Sequence, residues 1–188
     1  NSINDDDSLT GAFTVGSPNR SWSTPLSRDT NLVGHWKFDE TSGTTAYDYS
    51  GHGYNGTING AERVTTIGDN KAMYYDASST DYISTSSFAI PDTGILTVNA
   101  WMKGKHSDTL RNSIMGDGSD SATIGYIYIE RYTNDGLLYW YPNGTAHANI
   151  GFDNFFINSD NQWMHIITVC DYTNKTFKAY RNGVQFGV

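Results

Sequence analysis

Cysteine occurs once, proline four times, and cations are scarce: 12 Lys or Arg stand against 20 Asp or Glu in 188 residues, a formal net charge of -8. One cysteine excludes an internal disulfide framework, and Cys170, inside the apolar run HIITVC, reads as a buried thiol serving as a small hydrophobe. Few and dispersed cations argue against nucleic acid as a partner, because binding to a phosphate backbone rests on clustered Lys and Arg. No apolar run approaches the roughly 18 to 20 residues of a membrane-spanning helix, so no membrane span is expected. No signal-peptide pattern opens the chain. Helical periodicity is missing as well, which excludes alternating βαβ units.

What the chain does have is 19 Gly, 14% aromatic residues and short hydrophobic runs bounded by Gly, Asn, Asp or Ser. That combination predicts an all-β domain with many turns. Residues 1 to 30, with the acidic run Asp5 to Asp7 and few apolar positions, read as a polar arm or linker whose GAFTV and SWS pieces are also able to add an edge strand. Residues 31 to 188 read as one β-sandwich domain.

From Leu32 the expected strands are LVGHWKF, KAMYYDA, DYISTS, ILTVNAWMK, NSIMGD, TIGYIYIERY, GLLYWYP, HANIGF, QWMHIITVCDY and TFKAYRNGVQFGV. Period-two alternation puts Leu96, Val98, Ala100 and Met102 on one face of ILTVNAWMK, with Ile95, Thr97, Asn99 and Trp101 on the other. Bulk on both faces predicts a central strand, and Trp36, Trp101 and Trp163 are expected in the core. Met164, Ile166, Thr168 and Cys170 share a face opposite Trp163, His165, Ile167 and Val169, with His165 expected as a hydrogen-bonded core or concave-face residue rather than a catalyst. Turns are predicted at Thr173 to Lys175 and at Asn182-Gly183, a dipeptide that accepts positive φ at both central positions.

Four stretches resemble the laminin G-like, concanavalin A-type jelly-roll family of free-standing bacterial and viral binding modules. They are LVGHWKFDETSGTTAYDYSGHGYNGTING, AMYYDASSTDYIS, GILTVNAWMKGK and DNQWMHIITVCDYTNKTFKAYRNGVQFG. The resemblance implies two stacked antiparallel sheets and a role in carbohydrate binding, adhesion or structure. Such domains ordinarily continue past the YRNGV hairpin to a closing strand of the form (I/L)DEVRIY. The sequence here stops at Val188, so the expectation is of a fragment or of strands donated by another polypeptide.

Two sets of candidate site residues follow. TAYDYSGHGYNGT offers the Asp48 carboxylate, glycine carbonyls near Gly53 and the Asn55 amide, a mixture suited to the roughly six to eight oxygens that calcium takes. The resemblance implies a calcium site near this loop, with Asp39 or Glu40 contributing. The alternative is that Asp48, Ser50, Gly51 and Gly53 build tight turns by side-chain to backbone hydrogen bonds. The second set is Tyr126 and Tyr128, with Tyr139 and Tyr141, each pair at period two, able to stack sugar rings or to serve as ordinary half-buried strand residues. GDGSDSAT, with Asp117 and Asp120, lacks the acid at its twelfth position that an EF-hand loop needs.

Catalysis is not expected, since no strand carries the spaced pair of acids of a sandwich-type glycosidase and no nucleophile-elbow pattern occurs. The expected function is a non-enzymatic extracellular or surface-displayed recognition module for glycans or other cell-surface groups. The alternative is a structural subunit of a filament, pilus or virion, assembled through its arm and an open sheet edge. Sequons at Asn19, Asn55, Asn143 and Asn174 are compatible with an extracellular setting.

Overall fold

The computed structural model describes residues 30–66, 70–76, 80–86, 94–104, 112–115, 127–130, 137–140, 150–152, 155 and 161–186. The expected N-terminal arm lies almost wholly outside them. Every strand pairing is antiparallel, and no helix occurs among the described residues. Chain contacts divide the molecule into two units, the first ending at Ser86.

In the first unit, β1 (Thr45–Ala46), β2 (Gly56–Asn59) and β5 (Tyr82–Thr85) form one sheet in the order β1-β2-β5, while β3 (Glu62–Thr65) pairs with β4 (Lys71–Tyr74). Gly56 is required by close approach: a Cβ there would lie 2.5 Å from Ile83 Cγ2 and 3.4 Å from the Cβ of Ala46. The expected strand LVGHWKF is reduced to one bridge, Trp36 to Asp48. Its backbone turns to φ +60° at Phe38, in the left-handed region that ends regular pairing.

The second unit holds two four-stranded sheets. One runs β10 (Ile150–Phe152), β9 (Leu137–Trp140), β8 (Ile127–Glu130), β7 (Asn112–Met115); the other runs β13 (Val184–Phe186), β12 (Thr176–Arg181), β11 (Trp163–Asp171), β6 (Ile95–Lys103). Period-two patterning shapes the second sheet. Met164, Ile166, Thr168 and Cys170 of β11 are buried, with Phe177 and Ala179 of β12 beside them and Leu96, Val98 and Met102 of β6 packed against the same cluster. Met115 of β7 and Phe155 also join this core, which links the two sheets of the unit. Full burial of side chains such as Met164, Ile166 and Phe155 stabilises the fold by roughly 1.5–3 kcal/mol each relative to exposure. Burial pushes the Cys170 thiol up to about 12, as suits an inert core residue.

Both predicted turns are present. Asp171 Oδ1 accepts the backbone N–H of Thr173 at 3.0 Å and of Asn174 at 2.9 Å, closing the β11–β12 turn, and Lys175 completes it at φ +55°. Asn182 and Gly183 adopt φ +51° and +81° between β12 and β13, the conformation an Asn-Gly hairpin favours.

Two expectations about β6 are corrected. Among the described strands it stands at the sheet edge, paired only with β11, and Trp101 is 66% exposed rather than in the core. Alternation correctly separates the two faces of β6, but the core covers the Leu96 face alone.

Candidate functional sites

The loop between the Trp36 bridge and β2 is organised by one carboxylate. Asp48 Oδ1 accepts the backbone N–H of Ser50 at 2.8 Å and of His35 at 3.0 Å. Oδ2 accepts the Ser50 hydroxyl at 2.7 Å and the backbone N–H of Tyr54 at 3.0 Å. The Ser50 contact is an Asx turn, the local bonding that Asp favours in turns. Partial burial raises the Asp48 pKa, but these four donors outweigh it and hold the carboxyl at about 2. Asn55 closes the other side, its Oδ1 accepting the Asp48 N–H at 2.9 Å. Trp36 Nε1 donates to the Tyr54 carbonyl at 2.8 Å, pinning the loop to the preceding segment.

Glu40 is tied elsewhere. Its Oε1 accepts the Tyr47 N–H, and its Oε2 meets Arg63 Nη1, each at 2.7 Å. The two side chains are only 9% and 12% exposed, and Arg63 Nη2 also donates to the Thr45 carbonyl at 2.6 Å. Burial raises the Glu40 pKa, while the Tyr47 N–H, its own N–H and Arg63 together carry it below the ordinary carboxylate value. Asp39 is exposed, and Gly53 is exposed at φ +80°. Arg63 was not singled out from sequence, because nothing local marks a partner 23 residues away.

These contacts decide how the expected calcium donors fit. Each Asp48 oxygen already faces two donors, the Asn55 oxygen faces one, and both Glu40 oxygens are engaged. Asp48, Glu40 and Asn55 as arranged do not fit a calcium site. Among the described residues no group of three or more His, Cys, Asp or Glu is placed to hold a metal ion. Ser50, His52 and Asp48 do come together, with Ser50 Oγ 3.2 Å from His52 Nδ1. The serine is only 4% exposed and its proton is directed at Asp48, so it is not poised as a nucleophile.

The second place is the outer face of the β6–β11 pair. Trp101 and His165 are directly opposed in register, and their rings stack with centroids 5.0 Å apart at 22°. His165 Nε2 lies 2.8 Å from Asn99 Oδ1, which places the ring proton on Nε2 as donor. Asn182 Oδ1 accepts the His165 N–H at 2.9 Å. Thr97, Asn99 and Lys103 are exposed along the same face of β6, and Ile95 is 65% exposed. A fixed, flat aromatic surface rimmed by amide, hydroxyl and ammonium groups results.

The tyrosine candidates are only partly placed. Tyr128 and Tyr139 are register partners across β8 and β9, whereas Tyr126 and Tyr141 lie outside the described residues, as do Asp117 and Asp120. No helix among the described residues is long and apolar enough to cross a membrane.

No curated protein and no solved structure matches the chain. A family model of laminin G type, described as the concanavalin A-like lectin/glucanases superfamily, matches residues 76–188, more than half of the length, and the chain belongs to that family.

Proposed function

We propose that this protein is a non-enzymatic recognition module acting outside the cell or on a displayed surface, and that it binds carbohydrate on the outer face of β6 and β11. The observation that carries the reading is the Trp101–His165 stack. A pyranose ring offers an apolar C–H face and a rim of hydroxyls, and an exposed aromatic plane with polar neighbours complements both. Trp101 is held in place before any ligand arrives, since His165 is anchored by Asn99 and Asn182. Asn99 and Lys103 flank the indole along β6 as hydrogen-bonding groups for hydroxyls.

A glycan array probed with the purified chain tests this. The expected result is binding to a defined sugar class, reduced at least about tenfold by Trp101→Ala with the far-UV spectrum unchanged, as loss of one stacking contact worth about 1.4 kcal/mol implies. Silence from a well-folded sample would overturn the reading.

The place of β6 at a sheet edge among the described strands favours one competing reading, a structural subunit that receives a strand from another chain. Light scattering separates the two. Large regular assemblies support the subunit, and a monomer or small oligomer supports the recognition module.

A further inference from the structure

Calcium binds through oxygens that point lone pairs at it, roughly six to eight of them. In the loop around Asp48 the side-chain lone pairs point at protein donors instead. Three of the four groups facing Asp48 are backbone N–H groups, from His35, Ser50 and Tyr54, and the fourth is the Ser50 hydroxyl. They come from both ends of the loop and from the segment preceding it. The same carboxylate therefore gathers three stretches of chain, the structural task that a bound cation performs by gathering carboxylates. Here the signs are exchanged: one anion collects several partial positive charges.

We propose that this loop is closed by the protein itself, with Asp48 as an internal clasp, so that the segment from His35 to Asn55 takes and keeps its conformation without a divalent cation. An ion drawing on Asp48 would have to displace the four protein donors that already fill its two oxygens, and breaking such bonds in a partly buried place is costly. Glu40 gives the ion no alternative, because withdrawing it would leave Arg63 without its carboxylate. Ser50 reinforces the closure. Its hydroxyl is 3.2 Å from the Val33 carbonyl and accepts the His52 N–H at the same distance, so one buried side chain ties the bridge segment to the turn.

The experiment is thermal unfolding of the whole chain in millimolar calcium and in chelator, with terbium luminescence as an independent probe of lanthanide or calcium binding. The clasp predicts that the wild-type Tm differs by less than about 1 °C between the two conditions, since a ligand that does not bind the native state leaves stability unchanged. It predicts that Asp48→Ala lowers Tm by about 5 °C equally in both, and that terbium gives no saturable signal. A milder variant, Asp48→Asn, serves if the alanine form does not fold, and the same calcium-independent loss is expected of it. A calcium-induced rise of several degrees in the wild type that vanishes in Asp48→Asn, or saturable terbium luminescence displaced by calcium and lost in Glu40→Gln, would overturn the proposal.

Discussion

The Asp48 loop and the outer face of β6 use polar and aromatic residues in opposite ways. In the loop three acceptors are turned to the protein: Asp48, Glu40 and Asn55 hold backbone, Ser50 or Arg63 donors. On the sheet face the aromatic and amide groups bond one another while leaving the indole of Trp101 open. The acid- and glycine-rich segment that suggests a ligand site from its composition is a brace, and the strand tryptophan that suggests core is the exposed surface. Saturation of hydrogen-bonding capacity, rather than residue type, separates the two roles.

The largest effect should come from cutting the brace at its nearly buried ion pair. Arg63→Ala leaves the Glu40 carboxylate without its cation, and a loss of about 3 kcal/mol is expected in chemical denaturation. Next is Asp48→Ala, at about 2 kcal/mol for several charge-assisted hydrogen bonds. Asp48 also predicts a pH dependence. Its folded value of about 2 lies below the ordinary 3.8, so its contribution is fully present above the ordinary value and is lost as pH falls through 2. The melting temperature of the wild type should therefore fall more steeply between about pH 5 and pH 2 than that of Asp48→Asn. Equal slopes would show that the four donors do not favour the ionised form.

Changes on the sheet face should be milder. Asn182→Ala removes the acceptor for the His165 N–H and places alanine at φ +51°, for about 1 kcal/mol and a looser Trp101–His165 stack. Smallest is Trp101→Ala, within about 0.5 kcal/mol in stability because the side chain is 66% exposed. A large loss from this variant would mean that the indole belongs to the fold and would erase the contrast between the two regions.

Much of the fold was legible because its signals are local. Alternation in ILTVNAWMK and QWMHIITVCDY assigned the two faces of β6 and β11, and Asn182-Gly183 announced its turn. Three strands in the first unit, β1, β2 and β3, escaped notice: β1 is only two residues long, glycine and asparagine dilute β2, and Glu62 and Arg63 make up half of β3, although GTIN and ERVT carry β-branched residues. LVGHWKF keeps only the Trp36 bridge, because the His35 N–H is taken by the Asp48 side chain rather than by a strand, which no side-chain pattern in LVGHWKF foretells. The sites were less legible. Asp48 reads from sequence either as one of several calcium donors or as a builder of tight turns, and its contacts with His35, Ser50 and Tyr54 are hydrogen bonds of the second kind. The engagement of Glu40 by Arg63 depends on β3 crossing near the loop, and the exposure of Trp101 depends on which face the core covers. Both are tertiary facts without a local signature.

One measurement bears on the central contrast most directly: a glycan array probed in parallel with wild type, Trp101→Ala and Asp48→Ala, in calcium and in chelator, at a temperature where all three remain folded. The account predicts that wild type and Asp48→Ala bind the same sugar class with or without calcium, and that Trp101→Ala does not bind it. Binding that needs calcium and Asp48 but survives the loss of Trp101 would contradict it.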